Sequence, residues 1–458
     1  MYTPPFFRYD DAFLVPLCVL AIIFISRSVF KKYRGTIIAK YFFPALFLRL
    51  AFCIIQALIM AFYYKGGDTT MYYQVILDMH KAVGDDFSFV NDIYGSLALH
   101  NTDRIYPYFQ YDQLGYTHYF ILATNNYMVP RFGLLFSFIF SESYLCISLC
   151  ISFFAFAGCW RLFKLFYSIY PHLHKKIAIA TLFLPSVLFW GVSLLKDSIC
   201  IGALGLFTYA LYQVFFRKRK VFASIVILLI SGFLLFNIKV YIFLCIIPAF
   251  LLWLFVDFNK RIEDKTLRNI SKVLMGVVSV IGALILIQQL TSSEAAKNFS
   301  AENLFESIST QQKSFSYFEG TGSNFSVAKF DNSNAGLLLL FPQGIVNTFF
   351  RPFPWDVKSP LMILSFIEAF GFIVLTLMAF QKIGFFKTFG MIFSNPVSMF
   401  CFVFAIVLGG IIGFTTYNFG ALSRYKIPCL PFYLMMIFIV MDQSGKFSPD
   451  VVFSKKLF

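Results

Sequence analysis

Long apolar runs alternate with short polar segments along the whole chain. A transmembrane helix needs about 20 predominantly apolar residues, and this pattern predicts an all-α polytopic integral membrane protein with about eleven spans. Two shorter apolar stretches, 127–140 and 336–350, are predicted to be re-entrant or interfacial. The predicted spans are 11–30, 44–64, 142–162, 177–195, 198–216, 221–237, 240–257, 273–290, 361–380, 396–416 and 428–441.

The composition agrees with this class. Hydrophobic residues make up 59% of the 458 residues and charged residues only 13%, whereas about a quarter of a soluble domain is charged. The whole chain, 1–458, is therefore predicted to be a single transmembrane domain. The nine cysteines form no C-x-x-C pair, so we interpret them as small core residues with no disulfide framework or zinc site.

The net charge of +15 is explained by membrane orientation and does not require nucleic acid. Alternate loops carry most of the lysines and arginines and are predicted to face the cytoplasm, with the N-terminus outside and the C-terminus inside. The outer loops are then 65–141 and 291–360, and the portion 292–335 of the second loop is predicted to be mobile. The first opens with a helix predicted to lie on the membrane surface, whose apolar face carries Tyr72, Val75, Ile76, Met79 and Val83.

Four charged segments flank predicted spans, and the topology puts all of them on the outer side. They contain Asp68; Lys196 and Asp197; Arg351 and Asp356; and Arg424 and Lys426. On one side of the membrane they could assemble into a single site. Asp68 is either an N-cap of the following helix or a general base acting on a hydroxyl, and the two roles are compatible.

The other charged residues also have structural alternatives. Lys196 and Asp197 fit a snorkelling lysine and a helix N-cap, and Trp355 fits an interfacial anchor. Arg424 and Lys426 would be ordinary snorkelling residues on the cytoplasmic side. On the outer side they favour an anionic ligand, since arginine suits bidentate phosphate recognition.

Within the predicted spans, Glu368 lies about two turns deep and is a functional candidate, expected to pair with a basic residue from another helix. Arg49 is nearer the cytoplasmic end of its span and is expected to snorkel. His80, His100 and His118 match no metal motif. No nucleotide-binding fingerprint is present. We therefore predict no cofactor, while a divalent metal is left open.

Several segments resemble known families. Gly66-Gly67-Asp68-Thr69, followed by Tyr72, resembles the first outer loop of bacterial exopolysaccharide and O-antigen polymerases. The run from 185 to 198 and the turn at 351–356 resemble multi-spanning proteins of polysaccharide gene clusters. The segment 423–428 is also similar to the end of some C-type glycosyltransferases, which use lipid-carried sugar donors.

The resemblance implies an inner-membrane glycosyltransferase or polymerase that acts at the periplasmic face on undecaprenyl phosphate- or diphosphate-linked saccharides, with polysaccharide-assembly proteins as possible partners. It implies that cations hold the phosphate leaving group, whose charge grows in the transition state, while a carboxylate deprotonates the acceptor. Asp68 would be the base, and Arg351, Arg424 and Lys196 would hold the phosphate. The further substrate contacts would be Asp197, Asp356, Lys426, Tyr72, Trp355 and Glu368.

Two other functions remain open. A flippase or transporter for lipid-linked saccharides should carry several polar residues deep in its spans, and the sequence offers chiefly Glu368 and Gln56. A non-catalytic membrane scaffold of the envelope would leave the charged segments unexplained.

Overall fold

The computed structural model describes residues 6–110, 121–259, 263–264, 266–267, 334–416 and 418–447. Its regular elements are helices, and the chain is an all-α polytopic membrane protein. The helices are α1 Asp11–Phe30, α2 Ala39–Leu58, α3 Asp68–Asp85, α4 Phe89–Gly95, α5 Pro107–Gln110, α6 Thr124–Ser137, α7 Tyr144–Ile169, α8 His174–Leu182, α9 Pro185–Trp190, α10 Lys196–Tyr212, α11 Val221–Asn259, α12 Asn334–Phe350, α13 Pro360–Ile383, α14 Phe385–Ser394, α15 Pro396–Thr415, α16 Phe419–Tyr425 and α17 Leu430–Gln443.

Among the described residues, seven helices are long and apolar enough to cross a membrane, or eight if the bent pair α16 and α17 forms one span. Six predicted spans coincide with separate helices of this kind. These are 11–30, 44–64, 142–162, 198–216, 361–380 and 396–416. The predicted span 273–290 and most of the predicted mobile portion 292–335 lie outside the described residues.

Four predicted spans have a different internal structure. The stretch 177–195 is two short helices, α8 and α9, followed by non-helical backbone at 191–195. The predicted pair 221–237 and 240–257 is one 39-residue run, α11, which leaves helical geometry at Lys239 (φ −143°, ψ 76°). The last span, 428–441, is preceded by α16, which is bent by 63° relative to α17. The two short apolar stretches are α6, of 14 residues, and α12, of 17.

The chain divides into two compact units, 1–240 and 241–458; a single transmembrane domain stays a prediction. In unit 1, α7 and α10 touch backbone to backbone. A Cβ added to Gly158 would lie 2.0 Å from the Gly202 carbonyl oxygen, and one added to Gly205 would lie 2.1 Å from the Gly158 oxygen. In unit 2, α12 and α15 meet in the same way, since a Cβ on Gly413 would lie 1.9 Å from the Gly344 oxygen. Small residues allow such close packing in membrane proteins.

The apolar face of α3 is covered by protein and not by lipid, so the predicted surface helix is wrong on this point. Tyr72, Val75, Ile76 and Met79 are buried. They pack in unit 1 against α6, where a Cβ on Gly133 would lie 2.6 Å from Ile76 Cδ1. A helix that packs on lipid and a helix that packs on protein have the same apolar period. Only the position of α6 in the structure shows which of the two covers α3.

Within unit 1, helix ends predicted to share a side of the membrane do lie together. Lys164 Nζ is 5.3 Å from the centre of the Tyr33 ring, at the end of α1. At the start of the same two helices, the Ser143 hydroxyl donates to Asp11. Which of these ends faces the cytoplasm stays a prediction.

Candidate functional site

The turn that carries Asp68 depends on two glycines. Gly66 and Gly67 adopt φ values of 137° and 121°, which favour glycine because a Cβ is disfavoured there. Gly67 is the N-cap and Asp68 is the first residue of α3, so the prediction that Asp68 is the N-cap is wrong by one residue. Its carboxylate still lies in the first turn, where the helix dipole stabilises negative charge.

Lys196 begins α10 and interacts with the Asp68 charge. The side chain is half-buried, and its ammonium lies within electrostatic range of Asp68, Asp197 and Lys239. A snorkelling lysine also buries its alkyl stem, so the snorkelling alternative stays a prediction. The structure thus joins the first and second predicted charged segments in unit 1.

Asp197 forms a buried ion pair with Lys239, at the non-helical point of α11. Both side chains are almost completely buried. The N-cap of α10 is Leu195, so the alternative that Asp197 is the N-cap is also wrong. Sequence reasoning missed Lys239, although a lone lysine in an apolar run is a signal of an intramembrane functional or paired residue.

A chain of buried hydroxyl groups connects the start of α3 to the segment before α10. The Tyr144 hydroxyl lies 2.9 Å from Thr69 Oγ1 and 2.9 Å from Ser193 Oγ. The Ser193 hydroxyl donates to Ser148 Oγ at 3.3 Å, and the Ser193 N–H donates to Ser152 Oγ at 2.9 Å. Because Thr69 follows Asp68 and Ser193 lies just before α10, these bonds link the start of α3 to the segment that leads into α10.

The non-helical backbone at 191–195 is satisfied by side chains. Arg49 donates to the Gly191 carbonyl at 2.7 Å, and Ser198 donates to the Val192 carbonyl. Unpaired backbone groups are costly in a membrane interior, so irregular backbone there requires such partners. Arg49 is fully buried, and the expectation that it snorkels is wrong.

In unit 2, Asp356 holds Arg351 through two hydrogen bonds. Arg351 Nε and Nη2 donate to the two carboxylate oxygens at 2.9 and 2.7 Å, and the Phe353 N–H donates to Oδ2 at 2.9 Å. Burial acts to raise the pKa of Asp356, but these hydrogen bonds and the Arg351 charge outweigh it and hold the pKa below its ordinary value. The carboxylate therefore stays ionised and orients the guanidinium.

Lys426 belongs to the same cluster as Arg351. Its side chain is fully buried, so snorkelling is wrong, and Nζ donates to the Arg351 carbonyl at 3.3 Å. Lys426 also interacts electrostatically with buried Glu368 on α13, so the basic residue expected near Glu368 is Lys426. Arg424 is half-buried on α16, and its neighbour Ser423 is hydrogen-bonded to Ser365 of α13 at 3.0 Å.

The two aromatic candidates differ in accessibility. Trp355 is 75% exposed and its ring lies 5.0 Å from that of Phe353. Tyr72 is 1% exposed, and its hydroxyl donates to Asn126 at 3.4 Å. The Tyr72 ring offers no face to a sugar, so it stabilises the α3–α6 contact instead.

Each unit thus brings two of the four predicted segments together. Unit 1 holds Asp68, Lys196, Asp197 and Lys239, while unit 2 holds Arg351, Asp356, Lys426 and Glu368, with Arg424 beside them in sequence. No group of three or more His, Cys, Asp or Glu side chains in the described residues could hold a metal ion. His80 contacts Ser137 and Glu142, and His118 lies outside the described residues.

No protein-family model matches the chain, and comparison with curated proteins and with solved structures finds no significant similarity.

Proposed function

We propose that the protein is a membrane-embedded glycosyltransferase of the polymerase type. Its substrates would be undecaprenyl phosphate- or diphosphate-linked saccharides, at the periplasmic face of the bacterial inner membrane, in surface polysaccharide biosynthesis. The observation that supports the proposal is the electrostatic interaction of Asp68 with Lys196, each the first residue of its helix, in a region linked by buried hydroxyl groups.

The proposed chemistry needs a base and cations. Asp68 accepts the proton of the acceptor hydroxyl, whose oxygen forms a bond to the anomeric carbon as the bond to phosphate breaks. The phosphate leaves with the electron pair, and cations that are already oriented lower the barrier because they need no reorganisation. In unit 1 the candidate cation is Lys196, whereas Lys239 is neutralised by Asp197.

In unit 2, Arg351 and Arg424 are the proposed phosphate ligands, since Lys426 is fully buried. Asp356 acts through Arg351 and is a positioning residue. Its two hydrogen bonds fix the plane of the guanidinium, and a preoriented guanidinium loses less freedom when it binds an oxyanion. Glu368 interacts with Lys426 electrostatically.

The test replaces Asp68 with Asn, which keeps the size of the side chain and removes the base. Asp85→Asn is the matched control because Asp85 is an exposed aspartate at the other end of the same helix. We expect D68N to reach the membrane at normal levels and to accumulate single lipid-linked repeat units with loss of long polymer, while D85N stays normal. Normal polymer length and amount in D68N would end the enzyme proposal.

A flippase for the same lipid-linked saccharides is the second candidate function. The observation that favours it is the set of buried charges in the apolar helices, Arg49, Asp197, Lys239 and Glu368, which is larger than the sequence indicated. The same D68N strain separates the two functions. A polymerase defect leaves repeat units accessible to a membrane-impermeant oxidant from outside, whereas a flippase defect leaves them protected.

A further inference from the structure

Arg131 is a buried cation that neither cluster uses. It lies on α6, and its side chain is 5% exposed. Its guanidinium carbon is 5.0 Å from the centre of the Tyr127 ring and 5.6 Å from that of Tyr94. The faces of these two rings stabilise the positive charge. They do not accept the N–H bonds that lie in the plane of the guanidinium, which need other acceptors.

Among the described residues, two polar groups at this position, the Arg131 guanidinium and the Tyr127 hydroxyl, have no oxygen or nitrogen hydrogen-bond partner. Nη1 reaches only the sulfur of Met128, at 3.8 Å, and Nε is buried with no hydrogen-bond partner among the described residues. The Tyr127 hydroxyl is likewise buried with no partner there. An arginine donates up to five N–H bonds in a planar fork, so a donor set of this size without an oxygen acceptor is unusual.

Charge balance points the same way. Burial lowers the pKa of the Arg131 guanidinium below its ordinary value, and within the described ranges no carboxylate offsets that effect. Arginine nevertheless stays protonated in proteins. By contrast, exposed Arg104 in the same region pairs with both Asp86 and Asp92. A buried cation without a counter-ion is strongly destabilising, so a bound anion would remove the imbalance.

We infer that Arg131, with the Tyr127 hydroxyl, forms a binding site for an oxyanion, either a phosphate or a carboxylate group. The guanidinium supplies in-plane donors to two oxygens, and the tyrosine hydroxyl supplies another donor. Tyr94 is 40% exposed and its hydroxyl donates to the Arg131 carbonyl at 2.8 Å, so it forms the outer wall of the site.

The position of the site suggests what the anion belongs to. Arg131 is two residues from Gly133, where α6 packs on Ile76 of α3 and on Leu194. The site is therefore built into the helix that supports α3 and its first residue, Asp68. That the oxyanion is carried by a saccharide substrate, as an acidic sugar or a phosphate, rests on the proposed function.

The experiment measures the thermal stability of the purified full-length protein in detergent. Sodium phosphate and sodium glucuronate are each titrated at constant ionic strength against sodium chloride. We expect a saturable rise in Tm with at least one of them, because a ligand that binds only the folded state stabilises it. A rise with phosphate alone assigns the site to a phosphate group, and a rise with glucuronate alone assigns it to the carboxylate of an acidic sugar.

Arg131→Met, Tyr127→Phe and a control variant, Arg104→Met, complete the test. R131M should abolish the response and should not lower Tm in chloride, because it removes an uncompensated buried charge. Y127F should weaken the apparent affinity about tenfold through loss of one hydrogen bond to a charged group. R104M should keep the full response, since Arg104 already has its carboxylates.

Two outcomes would overturn the inference. One is the absence of any rise over chloride with either anion at tens of millimolar. The other is a fall in the Tm of R131M in chloride, which would make Arg131 a structural residue. Neither result depends on polymer synthesis, so failure of this site and failure of the proposed function are distinguishable.

Discussion

Asp197 and Lys239 form an ion pair within the apolar interior of unit 1, between the start of α10 and the non-helical point of α11. The pair neutralises Lys239, whose charge acts on Lys196, and it joins the two helices. Removing one partner leaves the other as an isolated buried charge, whereas removing both does not. This asymmetry makes the pair testable.

We expect Lys239→Met and Asp197→Leu each to destabilise the protein by about 3–5 kcal/mol. The double variant should recover most of that loss because no unpaired charge remains. Thermal unfolding of the four proteins in detergent forms the double-mutant cycle. Additive effects of the two substitutions would mean that the pair does not interact in the folded protein.

The buried hydroxyl groups around Tyr144 lead to a prediction in which activity falls while the amount of protein in the membrane stays normal. Tyr144→Phe removes the hydroxyl shared by Thr69 and Ser193, and leaving buried polar groups unpaired costs about 1–3 kcal/mol. We expect normal membrane levels and shortened polymer, because Asp68 and Lys196 are less firmly positioned. Tyr433→Phe, a buried tyrosine of unit 2 bonded to Thr376, is the control. Equal polymer defects in the two variants would argue against a specific role for these hydroxyl groups.

Glycine packing gives a matched pair of alanine substitutions. Gly158→Ala would place a methyl group 2.0 Å from the backbone of Gly202 and force α7 and α10 apart. Gly371→Ala adds a methyl group to α13 where nothing lies within 4 Å. We expect G158A to lower the amount of folded protein strongly. G371A should be neutral or stabilising by up to about 1 kcal/mol. Comparable yields of the two folded proteins would contradict the close approach.

The Arg351–Asp356 pair predicts a dependence of stability on acid. The folded-state pKa of Asp356 is held below its ordinary value, which is about 3.9 in unfolded chains. The pair therefore contributes its full stability above that value and loses it as the pH falls through the folded pKa. Between pH 6 and pH 3, Asp356→Asn should show a smaller fall in Tm than the wild type. Parallel curves for the two proteins would show that the carboxylate is not linked to folding.

The existence of the long helices could be predicted from the sequence, because a run of about 20 apolar residues has few other solutions in a membrane. The internal structure of the stretch 177–195 could not be predicted in this way. Hydropathy registers that Gly191 and Ser193 lie among apolar residues. Hydropathy does not show that residues of other helices pair with this backbone. Arg49 donates to the Gly191 carbonyl, and the Ser193 N–H donates to Ser152.

The charged residues show the same limit. Asp197 at a helix start is locally indistinguishable from an N-cap, and its true partner is 42 residues away. The apolar face of α3 was predicted correctly, but its period does not reveal whether lipid or α6 covers it. Arg131 stands alone among apolar residues, as Lys239 does, but its lack of an oxygen acceptor among the described residues is visible only in the folded chain.

Where α7 and α10 touch backbone to backbone, neither helix can slide or rotate past the other without a collision between main-chain atoms. We therefore expect the two helices to move together as one rigid unit. Any movement that opens unit 1 must therefore separate other helices, and this contact is the fixed point against which that movement takes place.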